Sequence, residues 1–191
     1  MSRKVKNAFS AYSTIAGFSL IEMCITVAFL CILGSFAVLN INAILPGVKA
    51  NEAMYQTLAQ LRSARETAIA QRRNIEIKFI NHNQIQIVRH ELPSGETTLS
   101  DINLSNGCEF MLFDGIPDSP DTFGEASAVD FGSANRLLFL SDGTLVDDQN
   151  NPLSGSVFIG LPGKPETARV VTILGATGRV RSYRWNGTSW I

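Results

Sequence analysis

Apolar residues run almost unbroken from Phe18 to Leu45, with one charge among them, Glu22. At 1.5 Å per residue a helix over this run is about 42 Å long, more than the roughly 30 Å hydrocarbon core of a bilayer. The run therefore predicts a membrane-spanning helix with a turn or two to spare, and Pro46-Gly47 should kink or end it. Beyond that break Met54, Leu58, Leu61, Ala64, Ala68 and Ile69 recur at spacings of three and four. Gln56, Gln60, Arg62, Glu66 and Arg73 fall between them, the pattern of an amphipathic helix of about 25 residues. The period then changes to two: Ile75–Phe79 and Gln84–Val88 flank a turn at Asn81-His82-Asn83 and predict a hairpin.

Residues 93–135 are interrupted by Pro, Gly, Asp and Ser everywhere except Glu109–Phe113, which predicts a loop-rich region with two short strands. Strands return at Arg136–Leu140, Thr144–Val146, Ser156–Ile159, Ala168–Leu174 and Arg179–Trp185, separated by the Ser141-Asp142-Gly143 turn, residues 147–155 and 160–167, and the Gly175-Ala176-Thr177-Gly178 turn. The fold class is α+β, with a long N-terminal helix packed on an antiparallel, loop-rich sheet.

Charge sets the topology. Arg3, Lys4 and Lys6 precede the apolar run and no acid does, so the positive-inside rule keeps the N-terminus cytoplasmic and sends everything after Leu45 across the membrane. A secretory signal places its cleavage site after the apolar stretch. Here the polar leader ends at Ala16-Gly17, and the apolar run follows at once. An acid within such a run is costly and by default functional.

The segment Gly17-Phe18-Ser19-Leu20-Ile21-Glu22 resembles the class III signal of type IV prepilins and type II secretion pseudopilins. The resemblance implies that prepilin peptidase cuts between Gly17 and Phe18, that Phe18 is then N-methylated, and that Glu22 serves subunit assembly with other pilins or pseudopilins. Physically, the α-ammonium created at Phe18 of one subunit is a cation that can offset Glu22 of the next in lipid. The alternative is a Glu22 hydrated at the cytoplasmic interface. Four regions follow: a leader over 1–17, a transmembrane and assembly helix over 18–45, an amphipathic helix over 46–73 and a β-rich periplasmic domain over 74–191. One departure is that the family's proline about twenty residues into the mature helix is replaced by Val38-Leu39-Asn40. Leu61–Ile69, Asp142-Gly143 and Gly178-Arg179-Val180-Arg181 further resemble the GspH/FimT minor pseudopilins. The implied role is structural, without enzymatic activity, cofactor or small-molecule substrate, and it does not distinguish pilus from secretion pseudopilus.

No set of residues predicts catalysis. His82 and His90 read as solvated strand-end residues rather than metal ligands. Cys108 has no partner cysteine outside the apolar run, and Cys24 and Cys31, seven apart on one helix face, read as packing residues. Asp147-Asp148-Gln149-Asn150-Asn151 does not fit an EF-hand and reads as a polar hairpin loop. Removing residues 1–17 leaves 13 basic against 17 acidic residues, a net charge of −4, so any nucleic-acid contact has to be local. One strand offers such a contact. Period-two alternation puts Arg179, Arg181, Tyr183 and Trp185 on one face, where arginines can meet phosphates and aromatics can stack on bases. The FimT resemblance associates a Gly-Arg-x-Arg segment with DNA binding during uptake. The competing reading is a solvated sheet face with packed aromatics.

Overall fold

The computed structural model describes residues 17–191, apart from the side chains of residues 36–40 and 43. The expected leader lies outside the described residues except for Gly17. The described residues fall into two compact units, one ending at Asn42 and one over Ala43–Ile191, and one helix, α1 (Leu20–Gln71), contributes to both.

In the first unit every large apolar side chain from Phe18 to Leu33 is exposed. Cys24 and Cys31, expected to pack, are exposed as well among the described residues. Among the described residues no helix is long and apolar enough to cross a membrane. The expected span over 18–45 falls partly on the side chains that lie outside the description.

In the second unit, of the kink or end expected at Pro46-Gly47, the end does not occur: α1 runs on and Pro46 lies inside it. A proline removes one backbone donor, and the turn after it is held from outside: the Arg169 guanidinium donates to the Gly47 carbonyl at 3.5 Å and to Asn51 Oδ1 at 2.8 Å. From there the helix buries Ala50, Ala53, Met54, Leu58, Leu61, Ala64 and Ala68. This is the predicted stripe, except that Ile69 stays 40% exposed at its edge. Each fully buried Leu or Met in it contributes about 1.5–3 kcal/mol.

The stripe covers two antiparallel sheets. The first has the order β3 (Glu96–Asn103), β2 (Gln84–His90), β1 (Ile75–Ile80), β6 (Leu137–Phe139), β7 (Leu145–Val146). The second has the order β10 (Arg179–Arg184), β9 (Lys164–Leu174), β8 (Gly155–Leu161), β4 (Glu109–Phe110), with β5 (Val129–Asp130) also on β8. The α+β class expected from the sequence is the one observed.

Two differences from expectation have clear causes. β3 is a full eight-residue strand in a region read as mostly loop. As a polar edge strand exposed on nearly all positions it lacks the alternation that marks a half-buried strand. Conversely, Glu109–Phe113 pairs only over Glu109–Phe110. Downstream of it the chain leaves the sheet and folds over the outer face of β8 and β9. There Ser119 approaches Ser156 and Asp121 accepts a hydrogen bond from Thr172 Oγ1 at 2.6 Å. That cover explains why β8 and most of β9 are buried on both faces. Val157, Ile159, Val171 and Ile173 join the central core, while Ser156, Phe158, Val170 and Thr172 alternate onto the covered side.

Candidate functional site

Three separated segments meet at one arginine. Arg65, on α1, donates from Nε to the carbonyl of Gly143 in the β6–β7 turn at 3.2 Å. Gly178 closes the β9–β10 turn with φ +61, and a β-carbon there would run into the Gly143 carbonyl oxygen and the Arg65 side chain. A β-carbon on Gly143 would in turn strike Ile69 Cδ1 and Arg65. The helix segment 61–69, Asp142-Gly143 and Gly178-Arg179 are thus one packed junction, although 113 residues separate Arg65 from Gly178 in sequence.

This junction sets the start of β10. Strand alternation puts Arg179, Arg181 and Tyr183 on the face away from the core, with Val180 buried beneath at 7% exposure. Arg181 pairs with Asp121 at 2.6 Å, and Tyr183 Oη donates to the same carboxylate at 3.0 Å. Trp185 follows the end of β10 and packs edge-on against Trp190 at a centroid distance of 5.5 Å. Of the four expected DNA contacts, only Arg179 has a side chain without a partner among the described residues. Asp121 carried no signal in the sequence, since it lies 60 residues from Arg181 in a stretch read as loop.

Burial pushes the Asp121 carboxyl up, but hydrogen bonds from Thr172 and Tyr183 and the Arg181 charge outweigh it and hold it below its ordinary value. With a depressed folded value, the stabilisation is complete above the unfolded value near 3.8 and is lost as pH falls through the lower folded value. Trp190 reports on this cover, because its Nε1 donates to the Pro117 carbonyl at 2.8 Å. Acidification below about pH 4 is therefore expected to change tryptophan fluorescence in a step that Asp121→Asn abolishes. An identical step in the variant would remove Asp121 from the account.

On the side of the junction nearer the helix, Arg62, Arg65, Glu66, Leu174, Thr177 and Arg179 line an open cleft of about 760 Å³. Arg62, Glu66 and Arg179 are exposed, and none forms an ion pair among the described residues.

The N-terminal residues stand apart in the first unit. Gly17 and Phe18 precede α1, Phe18 is 80% exposed, and Glu22 falls in the helix's first turn. An acid there is favoured by the helix dipole.

The histidines diverge. His90 is no solvated strand end, for its Nε2 lies 2.8 Å from Glu76 Oε2 and the Arg136 guanidinium reaches that carboxylate at 2.9 Å. Glu76 is buried at 4% exposure although alternation in Ile75-Glu76-Ile77 points it to solvent; the Arg136, His90 and Lys78 side chains cover it. Burial pushes the Glu76 carboxyl up, and the Arg136 and His90 hydrogen bonds with the neighbouring charges bring it below its usual value. Glu76, His90 and Glu96 offer ligand atoms within 4.8 Å of one another. Arg136 and Lys78 already neutralise the two carboxylates, so a metal ion would have to displace both. Cys108 is fully buried, and burial pushes its thiol up. The Asp147 carboxylate accepts from the backbone of Gln149 and Asn151, closing the hairpin loop on itself.

Among solved structures the chain is similar to the type IV minor pilin FimU of Pseudomonas aeruginosa in two crystal forms. Identity is 19% and the TM-score 0.48 in each, covering 74% and 79% of this chain and 96% of that one. It is also similar to the minor pseudopilin EpsH from the Type 2 Secretion System of Vibrio cholerae, at 14% identity and a TM-score of 0.49 over 71% of this chain and 97% of that one. No family model matches the chain, and no curated protein does.

Proposed function

We propose that the chain is a minor pilin or pseudopilin: a structural subunit of a type IV pilus or type II secretion pseudopilus, anchored in the bacterial inner membrane with its β-rich domain in the periplasm. The observation that carries this reading is the junction Gly17-Phe18-Ser19-Leu20-Ile21-Glu22. It places a small residue, a new N-terminus and an acid at the very start of α1. The exposed side chains from Phe18 to Leu33 support it, since a continuous apolar surface of this kind needs lipid or a partner to cover it. Prepilin peptidase cleaves after Gly17, and Phe18 is methylated.

Intact mass of the membrane-extracted protein tests this. The expected species lacks residues 1–17 and carries one added methyl, and Gly17→Val leaves the chain uncut. Mature protein beginning at any other residue would sink the reading.

A second reading, a DNA-binding subunit for uptake, is favoured by one observation: Arg179 is exposed beside two further arginines on a chain whose mature charge is negative. Its test is loss of DNA binding by the full chain bearing Arg179→Gln with Arg181→Gln.

A further inference from the structure

We propose that the phosphate-binding surface is the cleft between α1 and the β9–β10 turn, built from Arg62, Arg65 and Arg179, and that the outer face of β10 contributes little to it. The inference rests on the DNA-binding reading and names its contact residues.

On the strand face, Arg181 and Tyr183 share the Asp121 carboxylate, and Trp185 is packed on Trp190. A phosphate approaching Arg181 meets an arginine whose charge is already offset, and Asp121 repels it. Trp185 is held against Trp190, which narrows the ring surface it offers to a base. The cleft differs on each count. Arg62 and Arg179 are exposed and unpaired among the described residues, so no intramolecular ion pair has to be broken before they bind. Arg65 is pre-oriented, because its Nε is committed to the Gly143 carbonyl. That leaves the two terminal nitrogens of the guanidinium, which have no hydrogen-bond partner among the described residues. Thr177 accepts from the Arg179 backbone N–H through its hydroxyl oxygen, so its own hydrogen remains available to an acceptor. Guanidinium groups suit phosphate oxygens by their fork geometry. Three of them lining one open cleft fit a backbone that repeats its phosphates, where a single carboxylate could occupy only one. Glu66 is the opposing charge on the same wall.

The test is a fluorescence titration of a labelled single-stranded oligonucleotide and its duplex with the full chain in a neutral detergent, repeated across salt. The unaltered chain is expected to bind at low salt, with a slope of log K against log salt near −2 to −3 for duplex, at about 0.9 per phosphate contacted. Arg62→Gln is expected to weaken binding severalfold and to flatten the slope by about 0.9, with an unchanged melting temperature. Arg62→Lys keeps the slope, and Glu66→Gln tightens binding. If the Arg179/Arg181 double variant loses binding while Arg62→Gln binds as well as the parent, the DNA reading stands and the cleft is wrong. Absence of binding by the parent chain overturns both. If Arg62→Gln leaves DNA binding intact but lowers incorporation into filaments, the cleft serves a protein partner and the proposal falls.

Discussion

A chain carrying Glu22→Ala is expected to insert into the membrane as well as the parent and to be lost from assembled filaments. Insertion should not suffer, because alanine is less costly in lipid than a carboxylate: the difference is roughly 2.5–3.5 kcal/mol at the centre of a spanning helix and smaller near its end, where Glu22 lies. Under the proposed pairing assembly should suffer, because the neighbouring subunit's α-ammonium at Phe18 would then sit in lipid without its counter-charge. Removing one partner of a buried ion pair costs about 3–5 kcal/mol, more than a hundredfold in the equilibrium for incorporation. Glu22→Asp keeps the charge on a shorter side chain and should recover part of the incorporation. Quantitative crosslinking to other pilins, normalised to the membrane-inserted pool, separates the two effects. Normal crosslinking of the alanine chain would reduce Glu22 to a hydrated passenger at the cytoplasmic interface.

Elements whose periodicity is enforced by one core were legible before the structure. The stripe from Met54 to Ala68, the hairpin read at Ile75–Phe79 and Gln84–Val88 and the buried parts of the last three strands follow from burial against a common interior, whereas the exposed start of β9 at Lys164 was read as a connection. What was not legible depended on long-range partners. β3 is a strand because it pairs with β2, from Gln84↔Asn103 to His90↔Glu96, while most of its own residues face solvent and only Ile102 packs against the core. Glu76 is buried because Arg136, 60 residues away, neutralises it. The candidate site shows the same division. Alternation placed Arg179, Arg181 and Tyr183 on one face, but no local pattern could say that Asp121 would occupy two of them or that Arg62 would line the same cleft as Arg179.

Gly178→Ala is expected to destabilise the β-rich domain far more than Gly163→Ala, although both glycines have positive φ in turns next to β9. At Gly163, φ is +74 and a β-carbon would meet nothing within 4 Å. Only the left-handed conformation is penalised there, by about 1–2 kcal/mol. At Gly178 the same penalty applies at φ +61, and the added carbon also collides with the Gly143 carbonyl oxygen and the Arg65 side chain. The carbonyl belongs to a turn whose own glycine is hemmed in by Ile69 and Arg65, so neither side can yield cheaply. The β9–β10 turn has to lift, breaking the Arg65–Gly143 hydrogen bond and loosening Val180 from the core. A total of about 3 kcal/mol or more is expected, of the kind reserved for strain at a special backbone conformation. For a chain of this size that lowers Tm by roughly 6–12 °C, against about 2–8 °C for Gly163→Ala. Thermal melts of the two variants in the same detergent decide it, and equal shifts would mean that the junction of α1 with the two turns is loose. A loose junction would also leave Arg179 without a fixed position beside Arg62, so the melt bears on the binding cleft as directly as on the fold.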